Sequence, residues 1–400
     1  MTSASQRGAR TDAAPHRIVR QSQLVVIKLG SALLVDERTQ GVRLRWLKSL
    51  AQDLDALRQR QQNVVLVCSG AVALGWHYLG AAGAARKLEL CQAAAAAGQM
   101  ALMRAWTDAL APLGWPVAQI LLTPDDTQAR RRYLNARNTI TALLRCGVLP
   151  VINENDTVAT QELRYGDNDR LSARVAGMLA ADALILLSDV EGLYARAPST
   201  KRAPARPIAL VERITPEIRA MAGSSASRHG SGGMATKLDA AQIAMQAGCH
   251  MVLADGRRTH PLRALEESGA PATLFRAALS AHTARKNWIV GELSPRGTMT
   301  IDRGAEAALA SGKSLLPIGA TAIAGAFERG DNVRILNAEG KEIARGLAAW
   351  SSANAERLLG KNSRAIVQLF GVHGREELVH RDDLVMMDDA PTRRTNRRKT

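Results

Sequence analysis

The stretch LVVIKLGS at residues 24–31 is an apolar run that contains one lysine, Lys28, and ends in a Gly-Ser turn. A short apolar run bounded by a turn predicts a strand that is buried on both faces of a parallel sheet. Lysine is costly to bury without an anionic partner. The turn also exposes backbone N–H groups close to a following helix start, which favours anion binding. The alternative is a lysine at a strand end whose ammonium group reaches water.

Similar apolar runs alternate with helical patterns along the first 280 residues. Strands are predicted at Leu24–Leu29, Val64–Cys68, Val117–Leu122, Val148–Ile152, Leu184–Leu187 and Val252–Ala254, where the series ends. The longest predicted helix covers Leu88–Leu110, and the last covers Ala235–Ala247. This order predicts an α/β domain over residues 23–280, a three-layer sandwich with a mainly parallel sheet. Ligands bind such sheets at the carboxyl ends of the strands.

After residue 283 the apolar runs become short and are separated by glycine and polar turns. Gly297–Ile301, Asn332–Leu336 and Ile366–Phe370 predict strands, and helices are expected near Ala305–Ala310 and Ala353–Leu359. We therefore expect a small mixed-β barrel domain over residues 284–388. Residues 1–22 and 389–400 are basic and lack apolar runs, so both are predicted to be disordered.

The net charge of +16 suggests nucleic acid as a partner. However, twelve of the sixteen charges lie in residues 1–22, 195–207 and 391–400, outside the predicted core. No apolar run reaches the length of a membrane span, and none near the start resembles a secretory signal, although an Arg-rich transit peptide is an alternative. The four cysteines form no CxxC pair and are expected to be core residues in a reducing, cytoplasmic compartment.

Polar loops follow several of the predicted strands. Ser69-Gly70-Ala71 follows the second, where the serine either binds a substrate carboxylate or caps a helix. NEND at 153–156 and GDND at 166–169 flank one loop, and their acidic groups suit a substrate with an ammonium group. Ser188 and Asp189 end a further strand. SGGMATK at 231–237 is a glycine-rich turn that opens a helix and suits phosphate binding, unless it is only a flexible linker.

Two other site types lack support. Gly312-Lys313-Ser314 is similar to the end of a Walker A loop, but residue 307, where the first glycine is required, is alanine. No cluster of His, Cys and Asp has metal-ligand spacing, so no metal held by the protein is predicted.

Together these loops resemble the amino acid kinase family, and within it the enzymes that phosphorylate the side-chain carboxylate of glutamate. The resemblance covers about residues 24–385. The matching motifs, in chain order, are VVIKLGS (25–31), SGA (69–71), LNARNT (134–139), PVINENDTVA (150–159), GDNDRLSA (166–173), SDVEGLY (188–194) and SGGMATKLDAA (231–241). SLLPIGA at 314–320 and VHRDDLV at 379–385 resemble the PUA domain that many of these enzymes carry.

The resemblance implies a role for each matching residue. Lys28 and Lys237 correspond to lysines that contact the ATP phosphates and the transferred phosphoryl group, and Asp169 to the aspartate that orients them. Glutamate is held at Ser69, Asp156 and Asn168. The nucleotide-binding positions are Lys28, Ser188, Asp189, Ser231, Gly232, Gly233, Met234, Ala235, Thr236 and Lys237.

The implied reaction converts ATP and L-glutamate to ADP and L-glutamyl 5-phosphate, the first step of proline biosynthesis. A glutamate side chain, with a pKa of about 4.3, is already ionised at neutral pH, so no general base is needed. Positioning and electrostatics then dominate catalysis, with Mg²⁺ carried on the ATP phosphates. The resemblance further implies feedback inhibition by proline and a homo-oligomer, a tetramer or a dimer.

Two alternatives remain open at this point. One is another member of the same family that acts on acetylglutamate, aspartate or uridylate, although NENDTVA and GDND favour glutamate. The other is an RNA-binding protein, since PUA domains often bind RNA. That reading leaves the two lysine-bearing loops unexplained.

Overall fold

The computed structural model describes residues 14–387, except 37, 80–86, 159–167, 197–205, 223–232, 268, 292–293 and 371–375. Contacts divide the chain into two units, Met1–Ala281 and His282–Thr400. In the described parts, no helix is long and apolar enough to cross a membrane.

The first unit is built on an eight-stranded sheet. Its strands are β1 (Leu24–Leu29), β2 (Asn63–Cys68), β3 (Val117–Leu122), β4 (Leu149–Glu154), β5 (Ala183–Ser188), β6 (Leu210–Val211), β7 (His250–Asp255) and β8 (Ala272–Phe275). Their spatial order is β3-β4-β2-β1-β5-β7-β8-β6. Strands β1 to β5 and β7 are parallel, while β8 pairs antiparallel with β7 and parallel with β6.

Helices cover this sheet on both faces. They are α1 (Pro15–Gln21), α2 (Ser31–Leu34), α3 (Leu44–Gln59), α4 (Ala71–Leu79), α5 (Leu88–Leu110), α6 (Pro124–Gln128), α7 (Arg130–Arg145), α8 (Asn168–Leu179), α9 (Pro216–Ala220), α10 (Met234–Gln246) and α11 (Pro261–Glu266). Side chains of a strand alternate between its faces, so Ile27 of β1 joins the core formed with α3 and α5. Val26 joins the other core, formed with α8 and α10. The predicted three-layer α/β fold is confirmed.

Two sequence predictions for this unit were wrong. The strand series does not end at β7, because β8 follows it; four residues that include Thr273 carry too weak a periodic signal to be recognised. Residues 15–21 were predicted to be disordered but form α1, whose Val19 is fully buried. Gln62 Nε2 donates to the carbonyl oxygens of Val19 and Ser22 at 2.8 and 2.6 Å, which fixes this helix on the unit. Residues 1–13 and 388–400 lie outside the described part.

The cysteines also differ in part from expectation. All four are free thiols; Cys68 and Cys249 are buried, as predicted, and Cys91 is half-buried. Cys146 is exposed, because it follows the last residue of α7 at the helix C-terminus rather than a core-facing turn.

The second unit contains a five-stranded mixed sheet. Its strands are β9 (Gly297–Ile301), β10 (Ala320–Ala324), β11 (Asn332–Leu336), β12 (Glu342–Leu347) and β13 (Leu384–Met386), in the order β10-β9-β11-β12-β13. Its helices are α12 (Ala281–Gly291), α13 (Arg303–Ala310), α14 (Ser352–Leu358) and α15 (Ser363–Phe370). Ile366–Phe370 was predicted as a strand and is helical, because a short run with β-branched residues does not separate the two states. Gly312 has φ +75° in the turn after α13, so the Walker-like triplet opens no helix.

Candidate active site

The carboxyl ends of four parallel strands meet at one edge of the first unit. Leu29 of β1 pairs in register with Cys68 of β2 and with Leu187 of β5, and Ile152 of β4 pairs with Val67. The loops that begin with Gly30, Ser69, Asn155 and Asp189 therefore start at the same edge. The structure brings most of the predicted site residues to this edge or to the two helices beside it.

Two lysines from different elements contact one buried aspartate. Lys28 lies on the face of β1 that packs against α8 and α10, two residues after Val26. Its ammonium group forms an ion pair with Oδ1 of Asp169, in the first turn of α8. Nζ of Lys237, from α10, lies 3.1 Å from Oδ2 of the same carboxylate. Lys28 and Lys237 are 5% and 6% exposed, and Asp169 is fully buried.

Burial of three charged groups is expensive, and it is weak evidence for added stability. Pairing explains how the ammonium groups are tolerated, but an apolar trio would fill the same space at less cost. The cluster therefore indicates a functional site, as strongly desolvated charges at the edge of a parallel sheet usually do. Thr236 Oγ1 lies 3.5 Å from Asp169 Oδ2, so the turn before Lys237 is held to the same carboxylate.

A second cluster consists of side-chain amides and a hydroxyl. Asn168, the residue before Asp169, donates from Nδ2, which shares its two hydrogens among three oxygens: Ser69 Oγ at 2.9 Å, the carbonyl oxygen of Cys68 at 2.8 Å and Asn153 Oδ1 at 2.8 Å. Asn153 in turn donates to Gln99 Oε1 at 2.9 Å. The sequence resemblance assigned both Ser69 and Asn168 to the acceptor site, and the structure places the two side chains in contact. It missed Gln99, a polar residue at a core-facing position of the alanine-rich helix α5.

The loop at Ser69 depends on the glycine that follows it. Gly70 has φ +110°, a conformation that side-chain-bearing residues rarely adopt. A Cβ there would also lie 3.2 Å from Val35 Cγ2. The glycine thus allows the sharp turn between Ser69, whose hydroxyl contacts Asn168, and the start of α4 at Ala71.

Asp156 lies on the rim of a small cavity of about 130 Å³. Its walls come from α4, α5, β3, the end of β4 and the residues after it, and they are Ala71, Ala95, Ala96, Gln99, Met100, Gln119, Leu121, Glu154, Asn155, Asp156 and Thr157. The cavity is mostly apolar, and its lining includes two acidic residues, Glu154 and Asp156. The size and the lining of the cavity suit a short aliphatic molecule that carries a cationic group.

The predicted nucleotide-binding segments are described only in part. Ser188 ends β5, and its hydroxyl donates to Asp189 Oδ1 at 3.0 Å. Gly233 is the N-cap of α10, and Met234, Ala235 and Thr236 form its first turn. Ser231, Gly232 and residues 166–167 lie outside the described residues.

The thiol beside this site is inert. Burial raises the pKa of Cys68 to about 12, so the group stays protonated at neutral pH. A thiol rather than a thiolate cannot act as a nucleophile. Among the residues that the structure describes, no group of three or more His, Cys, Asp and Glu side chains could hold a metal ion.

Comparison with known families agrees with this architecture. The model of the amino acid kinase family matches residues 23–255, more than half of the chain, and the PUA domain matches residues 297–370. The chain therefore belongs to the amino acid kinase family.

Its similar curated relatives are glutamate 5-kinases. Glutamate 5-kinase 1 of Rhizobium meliloti is 54% identical over 90% of this chain and 91% of its own length. The glutamate 5-kinase of Paramagnetospirillum magneticum is 52% identical over 90% and 97%, and that of Brucella abortus (strain S19) is 53% identical over 90% and 95%. The similarity to these relatives therefore covers nearly the whole of both chains and is not limited to the short motifs.

Proposed function

We propose that the protein transfers the γ-phosphoryl group of ATP to the side-chain carboxylate of L-glutamate and so makes L-glutamyl 5-phosphate. The observation that carries this proposal is the cluster of Lys28 and Lys237 on Asp169, next to a cavity with acidic groups on its rim. The similarity to glutamate 5-kinases over 90% of the chain supports the same substrate.

In this proposal the lysines act on the phosphoryl group. Asp169 holds both ammonium groups at fixed positions, so they need not reorganise when negative charge moves during transfer. Lys28 approaches from the sheet and Lys237 from the start of α10, which places positive charge on two sides of the reacting phosphate. Ser188, Asp189 and the turn 231–237 hold the rest of the nucleotide.

The acceptor carboxylate needs positioning rather than activation. It is an anion at neutral pH, so bringing it close to ATP is the main barrier, and fixed geometry lowers that barrier. Ser69 and Asn168 hold one end of glutamate, and Asp156 pairs with its ammonium group. Mg²⁺ is proposed to be carried on the ATP phosphates.

The decisive assay is ADP formation that depends on L-glutamate. Aspartate, acetylglutamate and uridylate serve as competing acceptors in the same assay. The proposal requires turnover with L-glutamate well above turnover with the other three. Turnover with another acceptor alone would reassign the substrate within the family, and no turnover with any of them would overturn the proposal.

Further properties of the chain are proposed on the same basis. They are inhibition by proline, a tetrameric or dimeric assembly, a role in proline biosynthesis in the cytoplasm, and RNA contact through the PUA domain. Adding proline to the assay tests the first, and light scattering tests the second. RNA binding tighter than micromolar, which weakens as salt rises, tests the last.

A further inference from the structure

Gln99 is a buried amide whose hydrogen bonding is incomplete. It lies on α5, is 7% exposed, and its Oε1 accepts a hydrogen bond from Asn153 Nδ2 at 2.9 Å. Its Nε2 is buried without a hydrogen-bond partner among the described residues. Burying an unpaired donor costs free energy, and a leucine would fill the position without that cost. The amide is therefore explained by what it does for Asn153.

The hydrogen bonds fix the direction of each amide in this cluster. Asn153 Oδ1 accepts from Asn168 Nδ2 at 2.8 Å and from the backbone N–H of Glu154 at 2.9 Å. Its Nδ2 must then face the opposite way, toward Gln99 Oε1. Asn168 faces two pure acceptors, the carbonyl oxygen of Cys68 and Asn153 Oδ1, so its Nδ2 is the atom that points at them.

The directions of these hydrogen bonds determine the role of the Ser69 hydroxyl. Asn168 Nδ2 lies 2.9 Å from Ser69 Oγ, and because an amide nitrogen cannot accept, it donates to Oγ by sharing a hydrogen with one of the other two acceptors. A hydroxyl that accepts from one neighbour still has its own hydrogen to donate. The chain from Gln99 through Asn153 and Asn168 thus presents Ser69 as a donor. A carboxylate, which only accepts hydrogen bonds, is the ligand that this arrangement recognises.

The packing of α5 holds Gln99 in place. A Cβ on its neighbour Gly98 would lie 1.8 Å from the carbonyl oxygen of Ala71, the first residue of α4. The two helix backbones therefore touch at the point where α4 leaves Ser69. Any shift of Gln99 along α5 would have to move this contact as well.

We propose that Gln99 is a positioning residue for the carboxylate substrate, which acts through Asn153 and Asn168 on the hydroxyl of Ser69. The inference rests on the proposed function, because it concerns how the acceptor is held. It assigns Gln99 to recognition of the acceptor and not to binding of the nucleotide.

The test is steady-state kinetics of the full-length protein with the variants Gln99→Leu and Gln99→Glu. Gln99→Leu removes the acceptor for Asn153 and is expected to raise KM for glutamate by about tenfold, the loss of roughly one buried hydrogen bond. KM for ATP should stay at the wild-type value. Gln99→Glu keeps an acceptor oxygen at the position, so it should raise KM for glutamate less than Gln99→Leu does, although burial of the new carboxyl opposes full recovery. Thr107→Val, an exposed polar-to-apolar change on the same helix, serves as the control.

The outcomes separate this inference from the proposed function. A wild-type KM for glutamate in a folded Gln99→Leu variant would overturn the inference alone. Equal increases in KM for ATP and for glutamate, together with a lower melting temperature, would also overturn it, because they indicate a general packing role for Gln99. Wild-type protein without glutamate-dependent ADP formation would overturn both.

Discussion

Nζ of Lys237 lies 3.1 Å from Oδ2 of Asp169; Lys237 directly follows the first turn of α10, and Asp169 lies in the first turn of α8. Both helices begin at the carboxyl edge of the sheet, so one ion pair joins the proposed nucleotide side of the site to the proposed acceptor side. Asn168, which contacts Ser69, directly precedes the aspartate. Kinetics in which each substrate is varied in turn therefore show whether the effect of a change in the lysine stays on the nucleotide side.

Lys237→Ala tests the phosphoryl-transfer role. We expect kcat to fall by about 10²–10³-fold, as for other fixed groups that stabilise developing charge, with little change in KM for glutamate. Steady-state kinetics with each substrate varied in turn measures both. Lys48→Ala, on the exposed side of α3, should leave both values unchanged. A variant with wild-type kcat and only a raised KM for glutamate would remove Lys237 from the transfer step.

Asp156→Ala tests the cavity as the acceptor site. Because Asp156 lies on the cavity rim, its carboxylate is placed to pair with an ammonium group, and its loss should mainly raise KM for glutamate. Asp156→Asn keeps the shape and removes the charge, so it should behave like the alanine variant if charge is what matters. Asp108→Asn, whose side chain is 66% exposed, is the matched control. Unchanged apparent affinity in both Asp156 variants would place glutamate elsewhere.

Gly98→Ala tests the helix contact beside Gln99. The added methyl group would lie 1.8 Å from a backbone oxygen, which cannot move as a flexible side chain does, so α4 and α5 must separate. Overpacking of this kind destabilises a protein by about 1–3 kcal/mol. Chemical unfolding of the two proteins gives the difference. Gly41→Ala, where the new Cβ would meet nothing closer than 3.5 Å, should change stability far less.

The sequence predicts the sheet better than it predicts the amide cluster, for physical reasons. The bounds of β1 and α5 follow directly from the pattern of apolar residues. A buried strand is a nearly continuous apolar run, and a long helix repeats apolar residues at helical spacing. The helix α15 was predicted as a strand because a short apolar run carries no such repeat. Lys28 stands out because a charge interrupts an apolar run.

Gln99 and Asn153 give much weaker signals. Their contact joins positions 54 residues apart, and no local pattern reports on a contact of that kind. The available sign was a polar residue at a core-facing position of α5, between Ala95 and Leu102 on the buried side. Such a residue has many structural explanations until its partner is known. The proposal for Ser69 rests on the direction of the hydrogen bonds, and that direction is known only from the three-dimensional positions of the amide atoms.

Asp126→Asn tests a capping box at the start of α6, the helix that follows β3. Asp126 Oδ2 accepts from the backbone N–H and the hydroxyl of Thr123, both at 2.7 Å, and Arg132 Nε donates to Oδ1 at 2.7 Å. Burial acts to raise the pKa of Asp126, but these hydrogen bonds and the nearby arginine outweigh it and hold the pKa below 3.8. The charged form is therefore the one that the folded state favours.

The sign of the pH dependence follows from that lowered pKa. The stabilisation by Asp126 is fully present above 3.8, its ordinary value, and is lost as the pH falls through the lower value of the folded state. At neutral pH the asparagine variant should be less stable by about 1 kcal/mol, the usual worth of a helix cap. Urea unfolding at a series of pH values should show this difference shrinking as the medium becomes acidic. If the difference in unfolding free energy between the two proteins stayed constant with pH, the charge of Asp126 would make no contribution. A contribution from that charge must disappear when the carboxylate is protonated.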